Sequence, residues 1–202
     1  MSTLEWDRLD SLESKSYKCS YCYNLISSDK GYRSIERLSA NRGIAGGMIY
    51  ICHHCKMPTF FYHDVIIPGE LVGDEVKHLP KEIEDVYNEA RRCVTVNAYT
   101  GSVMLCRKLL MNIAVQKGAA PNQPFAAYVD YLCDNGYVSG DNKVWADLVR
   151  NKGNDANHEI PKMILQDAEE LIGFLELVLK SIYEFPEKAK QRIPKPPSQP
   201  TP

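Results

Sequence analysis

From Pro80 onward the apolar positions keep helical time. Ile83, Val86, Tyr87, Ala90 and Val94 fall at i, i+3, i+4, i+7 and i+11, one stripe of an amphipathic helix. Glu82, Glu84 and Asp85 crowd its first turns, where the helix dipole favours negative charge. A second helix is predicted from about Gly101 to Gln116. It is apolar almost all round (Val103, Met104, Leu105, Leu109, Leu110, Ile113, Ala114), the pattern of a central, buried helix. A third spans Phe125 to Asp134 and is closed by Asn135-Gly136, and a fourth, shorter one covers Asn142 to Arg150. In the last, Ile164, Ala168, Leu171, Leu175, Val178 and Ile182 recur at alternating spacings of four and three, ending near Phe185 with Pro186 marking the change.

The first 75 residues read differently. Met48-Ile49-Tyr50-Ile51, Thr59-Phe60-Phe61-Tyr62 and Val65-Ile66-Ile67 are short strand-like runs, the first preceded by Gly43, Gly46 and Gly47 and the last closed by Pro68-Gly69. The fold class expected is therefore α+β: a small β module over residues 1–75, then a mainly helical bundle of four to five helices over 76–186. Residues 187–202 form a basic tail so rich in proline that an extended or disordered end is expected.

Composition narrows the function classes. Across 202 residues, 24 Lys+Arg stand against 26 Asp+Glu, a net charge of -2, which excludes a protein that coats nucleic acid by global charge. No apolar run approaches the roughly 20 residues of a membrane span, and the polar first eighteen residues lack the apolar core of a secretory signal. Seven cysteines, an odd count, then favour a reducing, cytoplasmic setting with metal or free-thiol roles.

Four of those cysteines are paired. Cys19-Ser-Tyr-Cys22 and Cys52-His-His-Cys55 are two Cys-x-x-Cys knuckles with 29 residues between them. Two intervening residues let one tight turn present both thiolates, and two such turns complete a tetrahedral site for one structural Zn ion. A thioredoxin-like redox pair is the rival, but neither knuckle has a βαβ context. His53 and His54 are alternative ligands left over once four thiolates fill the shell. Cys93, Cys106 and Cys133 lie in apolar helical segments and read as core. The tyrosines concentrated in the β module (Tyr17, Tyr21, Tyr23, Tyr32, Tyr50, Tyr62) are expected mainly to pack its core, with stacking on bases or a partner as the other use.

Between Trp145 and Ile160 apolar periodicity stops, and Arg150, Asn151, Lys152, Asn154, Asp155, Asn157, His158 and Glu159 crowd together around the breaker Gly153-Asn154. An arginine holding a phosphate and a histidine moving a proton make a competent pair for phosphodiester chemistry. The other reading is a helix junction, with asparagines capping exposed backbone and His158 bonded to a carbonyl. No Gly-rich phosphate loop, nucleophile elbow or further histidine pair with ligand spacing is present.

The order of ribbon, Pro80-Lys-Glu-Ile-Glu-Asp-Val-Tyr-Asn-Glu-Ala-Arg-Arg-Cys93, Arg107-Lys-Leu-Leu and Arg150-Asn-Lys-Gly-Asn-Asp-Ala-Asn-His158 resembles the family called domain of unknown function 4145 over roughly residues 15–186. That family looks related to the HEPN superfamily of helical bundles, which includes toxin and anti-phage ribonucleases. The resemblance implies metal-independent RNA cleavage at a homodimer interface. Arg150 would steady the phosphate, Asn151 would be the polar second position and His158 would handle the proton. It also implies a partner protein of a defence or toxin–antitoxin system. Seven residues separate Arg150 from His158, one more than the four to six of the catalytic motif, and Met111 stands where an acid is expected. The alternative function is a non-catalytic adaptor that binds protein or nucleic acid.

Overall fold

The computed structural model describes residues 4–37, 43–138, 143–151 and 162–192. The chain divides into two units: one formed by Met1–Leu71 with Val94–Ala98, the other by Val72–Cys93 with Tyr99–Pro202. An antiparallel sheet followed by helices makes the class α+β. No described helix is long and apolar enough to cross a membrane.

The first unit is a five-stranded meander, β1 (Asp10–Lys18), β2 (Leu25–Arg37), β3 (Gly43–Ile51), β4 (Pro58–Tyr62) and β5 (Val65–Ile67), each strand antiparallel to the next. The runs at Met48, Thr59 and Val65 form strands as the sequence pattern predicts, but β1 and the start of β2 carry no such pattern. A register shift between Ser11 and Lys15 breaks the alternation in β1, so its half-buried residues, Leu12 and Tyr17, are an odd number of positions apart. In β2 the buried positions after Ile26 are Ser28 and Gly31, which give no apolar signal. Inside, the rings of Tyr17, Tyr50 and Phe61 meet edge-on or tilted, with centroids 5.1 to 6.4 Å apart. The rest of this small core is Ile26 packed with Cys19 and Cys52, and with the half-buried Tyr17, Cys22 and Cys55. Burial pushes the Tyr17 phenol up to about 12.

The second unit holds α1 (Lys81–Thr95), α2 (Tyr99–Gln116), α3 (Phe125–Asp134), α4 (Lys143–Asn151), α5 (Leu165–Leu179) and α6 (Phe185–Arg192). Helix α2 packs on α3 and α5, and α4 closes the circuit by packing on the same two. As its apolar circumference predicts, α2 is central, with Val103, Cys106, Leu109, Leu110, Ile113 and Ala114 buried, although Met104 remains exposed. Asp167, in the first turn of α5, accepts the Ile164 N–H at 2.9 Å and so satisfies a donor the helix leaves open. Helix α4 seats close to α5 because Gly173 has no side chain. A Cβ there would lie 2.7 Å from Cζ2 of Trp145, whose indole donates to the Glu170 carbonyl at 3.1 Å and meets Phe174 edge-on.

The sequence pattern ends the last helix near Phe185, whereas the chain stays helical to Arg192. Pro186 lacks an N–H and its ring collides with the carbonyl of the preceding turn in a regular helix. A π-helical turn over Lys180–Glu184 opens that turn, with the Phe185 N–H bonding Lys180 five residues back.

Before α1, residues 72–77 are strapped to this unit from two sides. Arg91, buried on α1, donates Nε to the Val72 carbonyl at 2.9 Å and Nη2 to the Gly73 carbonyl at 2.7 Å. From the last helix, Glu176 accepts the Asp74 N–H at 2.8 Å and Glu184 the Lys77 N–H at 3.0 Å, while Lys180 pairs with Asp74 and Glu176.

Candidate metal centre and the cleft beside helix α4

The two knuckles are the same turn made twice. Each follows a strand, β1 or β3, and each begins with a cysteine whose carbonyl accepts the N–H four residues on: Tyr23 to Cys19 at 2.8 Å and Lys56 to Cys52 at 2.9 Å. The N–H of that first cysteine reaches Asn24 in one knuckle at 3.0 Å and Met57 in the other at 2.9 Å. In both, the residue just after the second cysteine is left-handed, Tyr23 at φ 61° and Lys56 at φ 63°. This turn directs both sulfurs of a knuckle to one side.

Cys19, Cys22, Cys52 and Cys55 place their sulfurs within 4.8 Å of one another. The Cys19–Cys55 separation is 3.6 Å and the Cys22–Cys52 separation 3.8 Å, far beyond a disulfide bond. A tetrahedral ion with sulfur ligands at about 2.3 Å needs edges of about 3.8 Å, so the spacing fits a metal. The thiol chemistry points the same way. Burial raises the Cys19 thiol, and burial with the adjoining cysteines raises Cys55 to about 12. At Cys22 burial is outweighed by the Asn24 N–H and the three neighbouring thiols, which bring it down to about 6. Cys22 ionises readily while Cys19 and Cys55 resist; four thiolates this close are stable only around a cation. The four cysteines are the one such group among the described residues, and His53 and His54 are exposed outside it. Of the other cysteines, Cys106 is buried, while Cys93 and Cys133 are half-buried.

In the helical unit, Arg150 and Asn151 are the last two residues of α4, and their side chains are not among those described. His158 lies outside the described residues. Val149, next to Arg150, is buried and lines a narrow cleft with Val103, Arg107, Met163, Asp167, Glu170 and Leu171. The cleft has a volume of about 10 Å³, room for about one water. The Arg107 guanidinium lies 4.3 Å from the centre of the Phe125 ring, and burial holds its pKa below the usual arginine value. Arg107 lines this cleft, and its sequence position marks it only as a cation within an apolar helix.

A family model described as Domain of unknown function (DUF4145) matches residues 88–196, more than half of the 202-residue chain. The chain belongs to this family. The DUF4145 stretch begins inside α1 and takes in Arg107, the cleft, Arg150, Asn151 and His158; the cysteine centre stands before it. No curated protein and no solved structure matches the chain.

Proposed function

We propose that this DUF4145 protein is a HEPN-like ribonuclease of a defence or toxin system, working as a homodimer, with its β unit held together by one Zn ion on Cys19, Cys22, Cys52 and Cys55. The observation that carries the reading is the place of Arg150: it follows Val149, which shares a cleft wall with a second, half-buried arginine, Arg107. An arginine in the middle of α2 and another at the C-terminal end of α4, on helices whose residues share one cleft wall, suit a phosphodiester, whose charge grows as the reaction proceeds. In the proposed step the 2′-hydroxyl of RNA attacks the adjacent phosphorus and gives its proton to His158, while Arg150 holds the phosphate oxygens and Asn151 orients the site. The P–O5′ bond breaks, the 5′-oxygen takes a proton from water, His158 returns its proton to the hydroxide so formed, and a 2′,3′-cyclic phosphate remains. No metal takes part, and the zinc, bound in the other unit, is structural.

Asp167 and Glu170 in the same wall favour a second reading. Two carboxylates beside Arg107 oppose a phosphate, as an adaptor that binds protein through this end would allow. The experiment that separates the readings is cleavage of total RNA and tRNA by the zinc-loaded protein with EDTA present, with Arg150→Ala and His158→Ala alongside. Cleavage by the parent alone, leaving cyclic phosphate ends, is expected. Cleavage retained by His158→Ala removes His158 from the mechanism, and no cleavage by the parent transfers the weight to the adaptor.

A further inference from the structure

The sequence pattern alone does not say which aromatic side chains of the β unit are core and which face out, and the register divides them. Tyr17, Tyr50 and Phe61 form the inside, as above. On the other face, cross-strand partners align Tyr32, Ile49, Phe60 and Ile67 in one row over four strands, with Tyr62 opposite Val65 beside it. Phe60, Tyr62, Val65 and Ile67 are each more than a third exposed. Their rings are arranged in a specific way. The Phe60 ring lies across β3 in the space above Gly47, where a Cβ would come within 2.4 Å of its edge, and the Tyr62 ring is within 18° of parallel to it at 6.4 Å. At the other end of the row, Trp6 packs on Tyr32 at 6.2 Å and is fixed by its indole N–H on the Lys56 carbonyl at 2.6 Å.

That end opens into a cavity of about 720 Å³, lined by Trp6, Ser28, Lys30, Ile51, His53 and Lys56, with Glu5 and Asp29 also on its rim. Its volume falls in the range of small-molecule ligand sites in general. The ammonium groups of Lys30 and Lys56 hydrogen-bond to neutral oxygens, Ser11 Oγ and the His53 carbonyl, and neither is ion-paired among the described residues, Glu5 and Asp29 standing on the same rim.

We infer that this face of the sheet is a binding platform for single-stranded RNA. Two parallel exposed rings accept consecutive bases, which are themselves parallel in a strand, and stacking tolerates any base. Lys30 and Lys56, at the Trp6 end, supply the cations that the phosphates need. A duplex hides its base faces and cannot use the rings. The inference rests on the RNA-acting reading and deepens it: the β unit captures the strand.

The test uses the full zinc-loaded chain carrying His158→Ala, so that bound RNA is not cut, and follows anisotropy of a labelled oligouridine against the same strand annealed to its complement. Zinc content and circular dichroism establish that each variant is folded. Phe60→Ala/Tyr62→Ala is expected to bind the single strand at least about thirtyfold more weakly, from the value of two lost stacking contacts. Lys30→Gln/Lys56→Gln is expected to flatten the salt dependence by about 1.4 in log–log slope. Three results overturn the platform: unchanged affinity in a folded ring variant, equal or tighter binding of the duplex, and no binding of the single strand up to about 100 µM, the weak limit of non-specific binding. A protein captured by these rings while RNA is not bound falls under the third. Binding intact with no cleavage by the parent defeats the ribonuclease reading and leaves the platform; cleavage intact with ring-independent binding does the reverse.

Discussion

Arg91 offers a severe check on how the helical unit is held together. It is 6% exposed, an unusual place for a guanidinium, and it donates to two main-chain carbonyls, Val72 at 2.9 Å and Gly73 at 2.7 Å, and to Asn88 Oδ1 at 3.1 Å. It also lies 5.4 Å from the Tyr87 ring centre. Hydrogen bonds from a charged donor contribute about 1.5–3 kcal/mol each, and the desolvation of a buried cation offsets part of their sum. Arg91→Met keeps the aliphatic bulk but leaves two carbonyls without their donor, so the expected net loss is about 3 kcal/mol. Lysine should recover only part of it, since one ammonium cannot reproduce the three-way fork. Each unit has one of the two tryptophans, Trp6 in the first and Trp145 in the second. In a Trp6→Phe background, urea unfolding followed by fluorescence therefore reports the helical unit through Trp145. The loss corresponds to a midpoint lowered by about 1–3 M for ordinary urea slopes. An Arg91→Met unfolding free energy within about 0.5 kcal/mol of the parent would refute the reasoning, and would mean that water replaces the guanidinium at no cost.

Three further outcomes are expected. Atomic absorption should find one zinc per chain, lost in Cys52→Ser, and stripping the metal should unfold the β unit while the Trp145 signal persists, because the thiols make up much of that unit's core. Gly173→Ala should destabilise the helical unit by about 1–3 kcal/mol in Trp145-monitored melts, since the contact with the indole at 2.7 Å outweighs the up to about 1 kcal/mol that alanine adds to helix propensity. Lys188 beside Glu184, helped by the Lys77 N–H, holds its carboxyl below the usual glutamate value. Stabilisation from a depressed carboxylate is complete above the unfolded value of about 4.3 and is lost as pH falls through the lower folded value. Melts between about pH 6 and 3 should show that acid limb flattened in Glu184→Gln; an unchanged limb would show that the contact contributes nothing.

How much of this was legible in the chain varies with the physics of each element. The helices were, because each buries one stripe: α3 runs from Phe125 to Asp134 as its pattern predicts, and α2 is central as its all-round apolarity predicts. The four cysteines were, because a metal demands its ligands at a fixed spacing whatever surrounds them. Strand β1 was not, since a bulge scrambles its alternation and most of its residues face water. Nor was the helix beyond Pro186, which depends on a π turn that no composition announces. The Arg91 fork was invisible for a different reason. Its acceptors are carbonyls, and a carbonyl carries no residue identity. Of the Arg150, Asn151 and His158 set, the first two end α4 and the third lies outside the described residues; no sequence spacing announces the cleft that Val149 lines with Arg107.

The strap over residues 72–77 also decides where this protein can be cut. The family match starts at Asn88, in the middle of α1, and a fragment begun there would leave Glu176, Lys180 and Glu184 facing empty space where the Asp74 and Lys77 backbone belongs. Arg91 would keep its charge and lose both main-chain acceptors. The smallest portable helical module therefore opens at Val72, sixteen residues ahead of the match, and any exchange of the preceding β unit has to be spliced upstream of that residue.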